Sequence, residues 1–283
     1  AAHPFRFVTG QLTGSYDPEP AATAKNVVVV GAGPAGLEAA RVAAERGHSV
    51  TLYEKKGSVG GLLEFANNVK GPHENLSVLR SYFERQMEVL GVNVMLNTEA
   101  TADIIAEASP DIVIAATGGV RDTLGLSDTA GTKVVGIDDF MMADIAEEVV
   151  IVGSNVQAID AAMYLLAQGK HVQVVTPNAA SAIGAGHSFW VKTFTQPNMK
   201  ALGVRFWPEA TVTAVNDGSV TVKTATGIEQ EIACGTVVEA LDCLPNDNLS
   251  TGLSCEVVTV GDAARPFNIG EAICSGNAAA RAI

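Results

Sequence analysis

Apolar positions along this chain follow two alternating rhythms, and glycine marks many of the changes between them. Residues 26–30 are an unbroken β-branched run, the pattern of a strand buried on both faces. After Gly31-Ala32-Gly33-Pro34-Ala35-Gly36 the apolar positions recur at helical spacing, and a second apolar run follows at 49–53. That predicts a βαβ unit over 26–54. Gly60-Gly61-Leu62-Leu63 predicts a glycine turn. Leu76, Leu79, Tyr82, Phe83 and Met87 lie on one helical face, so 74–90 predicts a helix, which Gly91 terminates. Strands are expected at 92–96 and 111–116, and between them Thr101 is placed to cap a short helix reaching 108.

The same rhythm then restarts. A strand at 148–152 turns at Gly153-Ser154-Asn155 into a helix over 156–168, which stops at Gly169, and strands follow at 172–175 and 204–206 around a helix at 189–202. Alternation over 210–215 and 220–224 brackets Asn216-Asp217-Gly218, a strong hairpin signal. A buried strand at 236–240, a strand at 257–260, Gly261-Asp262 and a helix over 269–283 complete the pattern. The expected fold is α/β, with two Rossmann-like domains of one βαβ plan and the second inserted into the first. The boundaries expected are a lead-in connector over 1–24, a first domain of 25–145 plus 255–283, and a second of 146–254. Prolines at 18 and 20 keep the lead-in extended.

Composition narrows the class. Hydrophobic residues make up 47% of 283 positions and charged residues 17%, enough for sizeable cores. Lys+Arg 18 against Asp+Glu 31 gives a net charge of −13, a surface that repels nucleic acid and anionic membranes. No apolar run approaches the ~20 residues of a membrane span, and a cytoplasmic location is expected. The chain opens at Ala1 without Met, as a processed or partial chain would. Cys234, Cys243, Cys255 and Cys274 form no Cys-x-x-Cys, which leaves a thioredoxin-type pair or zinc knuckle without support.

Gly31, Gly33 and Gly36 in this strand–turn–helix context form a dinucleotide-binding fingerprint. Gly31 permits the tight turn, Gly33 lets a pyrophosphate approach the backbone, and Gly36 lets helix and strand pack closely. The helix start offers unpaired amides and a positive dipole end. Glu54, eighteen positions beyond Gly36, closes the next strand where a carboxylate can take an adenosine ribose. A glycine turn without a ligand is the plainer alternative.

Together with Ala116-Thr117-Gly118 and Gly261-Asp262, these residues resemble the two-dinucleotide-binding-domain flavoproteins. The phrases Gly36-Leu37-Glu38-Ala39-Ala40-Arg41, Thr51-Leu52-Tyr53-Glu54-Lys55, Val59-Gly60-Gly61-Leu62-Leu63 and Asn97-Thr98-Glu99-Ala100-Thr101 are most similar to the C-terminal module of the 2,4-dienoyl-CoA reductase and trimethylamine dehydrogenase family. Members of that family carry an old-yellow-enzyme barrel in front. The resemblance implies FAD, or ADP in the same place. Gly31, Gly33, Pro34, Ala35 and Gly36 would cradle the pyrophosphate, and Glu54 with Lys55 would meet the ribose. Gly61 and Leu62 would line the flavin side, and the Ala100 backbone would meet adenine. Thr117 and Gly118 would flank the phosphates, and Gly261-Asp262 would hold the ribitol or pyrophosphate end. A turn aspartate and a strand-ending turn are the bland readings of Asp262 and of Thr117-Gly118.

Two departures from the family pattern stand out. Asn155 occupies the place in the second motif where close phosphate approach wants glycine. The strand that follows ends Val175-Thr176-Pro177-Asn178, with neither an acid for a ribose nor an arginine for a 2′-phosphate. NAD(P)H binding is therefore left open, with Gly153, Asn155 and Val156 as its contacts if it occurs. The chain also carries no barrel and no iron–sulfur cysteine cluster. It is expected to pass reducing equivalents from NAD(P)H through FAD to a barrel-type FMN/iron–sulfur partner, or else to serve as a nucleotide-holding structural subunit. His187 with Trp190 and Lys192 reads either as a ligand loop or as a polar helix start, and His73-Glu74 as a helix start. No protein catalytic residue is expected, because in flavin chemistry the protein positions the cofactor that reacts.

Overall fold

The computed structural model describes residues 18–71, 75–187, 189–249 and 253–283, with the side chains of 189–191 not described. The elements in chain order are β1 (Asn26–Val30), α1 (Pro34–Glu45), β2 (Ser49–Tyr53), α2 (Leu62–Lys70), α3 (Leu76–Leu90), β3 (Asn93–Met95), α4 (Ala102–Glu107), β4 (Ile112–Ala115), β5 (Lys133–Gly136), β6 (Glu148–Val152), α5 (Val156–Ala167), β7 (His171–Val175), α6 (Phe189–Ala201), β8 (Arg205–Trp207), β9 (Ala210–Asn216), β10 (Ser219–Thr224), β11 (Glu229–Ala233), β12 (Thr236–Glu239), β13 (Glu256–Thr259) and α7 (Ile269–Ala282).

Two compact units result. Unit 1 comprises residues up to Val120 together with Cys243–Ile283, and unit 2 is Arg121–Asp242. Unit 1 is therefore discontinuous, with unit 2 inserted in it. The divisions differ from the expected 145/146 and 254/255. The earlier first division follows from β5, which pairs in register with β12, Val134 opposite Val237, and so belongs to the second sheet.

Unit 1 is built on a parallel sheet of order β13-β4-β1-β2-β3. Val27, Val29 and Leu52 face a core with α1, α3 and α7, while Val28, Val30 and Tyr53 pack with Ile105 and Val113 on the other face. This is why the β1 sequence is apolar without alternation. Helix α3 ends where expected, at Gly91 in the left-handed region (φ 68°), and Thr101 caps α4 by accepting the Ile104 N–H. Helix α2 is not foreseen, the sequence giving only a turn there. Its N-cap, Gly61, has φ 53°.

Helices α1 and α7 lie against each other in unit 1. A Cβ on Gly276 would stand 2.1 Å from the Ala35 carbonyl oxygen, so only glycine permits this approach. Beneath it is a buried polar chain. Glu38 (1% exposed) binds Arg41 (5% exposed) through two bonds of 2.8 Å and accepts from Asn277 Nδ2 at 2.6 Å. Asn277 Oδ1 in turn accepts from Arg281 at 2.9 Å, and Glu45 also pairs with Arg41 at 2.7 Å. Burial alone pulls the Arg41 guanidinium down, but the bond to Glu38 and the charges of Glu38 and Glu45 outweigh it and raise it. His48 is buried too. Its Nδ1 accepts the Lys25 N–H at 3.1 Å, and desolvation, then the charges of Arg46 and Lys25, hold it below the usual imidazole range.

Unit 2 repeats the plan as the parallel sheet β5-β12-β6-β7-β8, and the antiparallel meander β9-β10-β11 packs Val212, Val220 and Val222 against Val150 and Val152. The hairpin at Asp217-Gly218 falls where expected, with Asn216 opposite Ser219. The four cysteines are free thiols. Burial pushes Cys234 up to about 11, so it stays protonated near neutrality.

Candidate functional site

In unit 1 the carboxyl ends of β1, β2 and β4 converge on the glycine turn. Gly31 adopts φ 101°, and its N–H donates to the Tyr53 carbonyl at 2.8 Å. A Cβ there would meet the Ala116 oxygen at 2.3 Å, and one on Gly36 would meet the Gly31 oxygen at 1.9 Å. Both glycines are thus required by the chain's own backbone. Gly33 differs. Its φ of −75° suits any residue, and a Cβ would find nothing within 4 Å. Nothing in the fold itself asks for glycine there, and the open space lies at the N-cap of α1. Gly33 supplies no capping side chain, and Pro34 holds the first helical position. The first-turn amides have no intrahelical partner, so the helix end is a ready anion seat.

Glu54 (8% exposed) is tied into this turn. One carboxylate oxygen accepts the Ala32 N–H and the other the Lys56 N–H, each at 2.8 Å. Sequence reasoning places Glu54 at the site but misses its grip on Ala32. It also passes over Gly60, whose N–H donates to the Ala32 carbonyl at 2.8 Å and brings the Gly60-Gly61 turn onto the glycine loop. A Cβ on Gly61 would lie 3.1 Å from Gly33 Cα, and Leu62 opens α2 beside it. Ala100 packs with Tyr53 and Val30, and Lys55 is exposed next to Glu54.

The other predicted residues reach the same edge. Thr117 donates its hydroxyl to the Asn246 carbonyl at 3.0 Å, and Gly118 takes φ 74°. Gly261, at φ 63°, would set a Cβ 2.7 Å from that of Ala35, and its N–H donates to Ser275 Oγ at 2.9 Å. Asp262 Oδ1 accepts the Phe267 N–H at 3.3 Å. Asn246, not singled out in the sequence, buries its side-chain Oδ1 with no hydrogen-bond partner among the described residues.

The register of unit 2 matches these positions one by one. The Gly153 N–H donates to the Val175 carbonyl as that of Gly31 does to Tyr53, and a Gly153 Cβ would meet the Ala240 oxygen at 2.1 Å. Asn155 therefore stands at the place of Gly33, Val156 at that of Pro34, Thr176 at that of Glu54, and Asp242 at that of Gly118. Asn155 caps α5 by accepting the Ala158 N–H at 2.9 Å. Its Nδ2 donates to the Leu241 carbonyl (3.1 Å) and to Asp242 Oδ1 (3.2 Å). Thr176 and Asn178 both donate to Ser154 Oγ, at 3.0 and 3.1 Å. The 184–187 turn runs alongside, with the Gly184 N–H on the Ser154 carbonyl at 2.6 Å. Lys192 Nζ donates to the Ser181 carbonyl at 2.9 Å, and His187 Nε2 lies 3.8 Å from Asp160 Oδ1, so both hold this turn in place. The predicted helix start at His73-Glu74 and the Trp190 side chain lie outside the described residues. A cleft of 550 Å³ beside Lys170, His171 and Arg205 sits at the opposite, amino ends of the unit 2 strands, away from the edge where such sheets bind ligands.

Two parallel-sheet units of one plan, each with a glycine turn running into a helix, define a two-domain dinucleotide-binding fold. The chain matches the family described as pyridine nucleotide-disulphide oxidoreductase over residues 25–262, and it belongs to that family, whose class is NAD(P)H-dependent flavin oxidoreductases. It is 39% identical over 157 residues to an NADH oxidase of Thermoanaerobacter brockii, covering 53% of this chain and 24% of that protein. It is 32% identical over 227 residues to a bilirubin reductase of Mediterraneibacter gnavus, covering 78% and 34%. Among solved structures, a complex of 2-naphthoyl-CoA reductase with 2-naphthoyl-CoA superposes with a TM-score of 0.86 at 33% identity, over 98% of this chain and 42% of that one. The chain thus spans less than half the length of each of these relatives. A thioredoxin reductase of Lactococcus lactis shares the fold, with a TM-score of 0.70 at 19% identity over 91% of this chain and 97% of that one. The comparisons lend the ADP alternative no support. No helix among the described residues is long and apolar enough to cross a membrane.

Proposed function

We propose that unit 1 holds FAD and that the chain works as the flavin-bearing module of a larger reductase. The observation that carries this reading is the open, uncapped end of α1 at Gly33, where the fold leaves space in front of the first-turn amides. The amides of the α1 first turn receive the pyrophosphate. Glu54, anchored by the Ala32 and Lys56 amides, keeps lone pairs for the ribose hydroxyls. Gly61 and Leu62, Thr117 and Gly118, and Gly261 with Asp262 border the rest of the cofactor, and the buried Asn246 amide supplies a further polar contact. Bound FAD supplies the two-electron chemistry, and these residues position it and exclude water. NAD(P)H is the electron donor, and the resemblance to the old-yellow-enzyme-like flavoproteins points to a barrel-type FMN/iron–sulfur partner as acceptor.

Purified chain incubated with FAD and desalted should retain absorbance near ~450 nm. Anaerobic NADH or NADPH should bleach it, and a colourless protein that takes up no FAD overturns the reading. Co-purification of a barrel-type FMN/iron–sulfur protein or domain tests the acceptor. A second reading, a nucleotide-holding structural subunit, is favoured by the Asn155 cap in unit 2. It predicts a flavin that neither nicotinamide bleaches.

A further inference from the structure

We propose that Asn155 and Asp242 keep the diphosphate seat of unit 2 shut, so that nicotinamide dinucleotides bind this chain weakly. The inference rests on the reading of unit 2 as the second nucleotide domain and goes beyond it. The internal repeat carries the argument. At matched positions unit 1 leaves space and unit 2 fills it. Gly33 leaves the α1 end open, whereas the Asn155 side chain accepts one of the α5 first-turn amides. Gly118 leaves an open turn, with nothing within 4 Å of a Cβ, whereas Asp242 sets a carboxylate beside the α5 end and receives the Asn155 amide.

Each substitution acts against a diphosphate, and in a different way. The Asn155 carbonyl oxygen is a neutral stand-in for a phosphate oxygen and must be displaced before one can bind. The Asp242 carboxylate puts a like charge at the place where anionic oxygens would sit. The two are bonded to each other, so neither moves without breaking the contact. The Asn155–Ala185 backbone bridge and the Gly184–Ser154 bond fix the turn next to them. Thr176 and Asn178, spent on Ser154, supply no anchor for the adenosine ribose in exchange.

Isothermal titration of the full chain with NADH and with NADPH tests the proposal. The comparison is between the native protein and N155G/D242G, a pair that restores the unit 1 residues at both positions. The double variant should bind at least tenfold more tightly, a gain of about 1.4 kcal/mol. D242N, which removes charge alone, should fall between the two. Glycine is an acceptable N-cap, so α5 should survive the change. Should the double variant fail to fold, D242N and N155G as single changes each tightening binding threefold supports the proposal, and no change in either overturns it. Equal affinity of the native and folded double-variant proteins, or no binding by either, also overturns it. Absorbance near ~450 nm in the same samples reports FAD separately. Failure of the native protein to retain FAD would count against the proposed function, and unchanged nicotinamide affinity with flavin retained would count against this inference alone.

Discussion

Three glycines in one six-residue turn do different work, and substitution separates them. Gly36→Ala drives a methyl into the Gly31 carbonyl, so the chain should lose several °C of Tm and express poorly. Gly33→Ala adds a Cβ that meets no protein atom within 4 Å. It should leave Tm within a few °C while weakening FAD binding tenfold or more, read by flavin retention after desalting. Equal damage to folding by both variants would remove the basis for an FAD seat at Gly33. Glu54→Gln turns one of two acceptors into a donor facing a backbone N–H, and should cost about 1–3 kcal/mol in urea unfolding. His48 gives a pH dependence. Its folded pKa lies below the unfolded value, so its contribution is complete above about 6.5 and is lost as the pH falls below that. Tm measured from pH 7.5 down to 5 should drop, and H48Q should flatten part of the slope. The fingerprint glycines were legible in sequence because each follows a strand and opens a helix. The carboxylate–amide bond from Glu54 to Ala32 was not, since it joins residues 22 apart through a side-chain conformation that periodicity does not report.

Among the elements, β1, β6, α3 and α5 were legible because an apolar run or a helical spacing ends at glycine, whereas β11 was not foreseen, its 229–233 sequence being mostly polar. Helix α2 was missed because Gly60-Gly61 reads as a turn and Asn67-Asn68 weaken the helical signal. Strand β5 was missed because four residues, two of them Lys133 and Gly136, carry little pattern. Its partner β12 lies about a hundred positions away, and that pairing moves the domain boundary. The α1–α7 contact is likewise non-local, and its polar chain makes it sensitive. Glu38→Gln leaves the Arg41 guanidinium buried with Glu45 as its remaining carboxylate. The expected loss is about 3 kcal/mol in chemical denaturation, and an unchanged midpoint would show that Arg41 finds water instead.

On the scale of the whole chain, two sheets with separate cores predict two unfolding transitions. FAD binds one of them in the reading above, so calorimetry with FAD at 100 times its Kd should raise one transition by about 2.7 kcal/mol of added stability and leave the other in place. Movement of both would show that the units melt together. The insertion itself was legible, because a strand and a helix remain after the second βαβ repeat with no partner in it.

That arrangement sets an order of events on the ribosome. Strand β13 and helix α7 emerge after all of unit 2, yet the β13-β4 edge and the α1–α7 packing depend on them. During translation the inserted body can finish first, while its host waits with β1 to β4 made but one edge bare. Flavin capture is then a late step of synthesis, and a nascent chain stalled before Glu256 should leave the cofactor in solution.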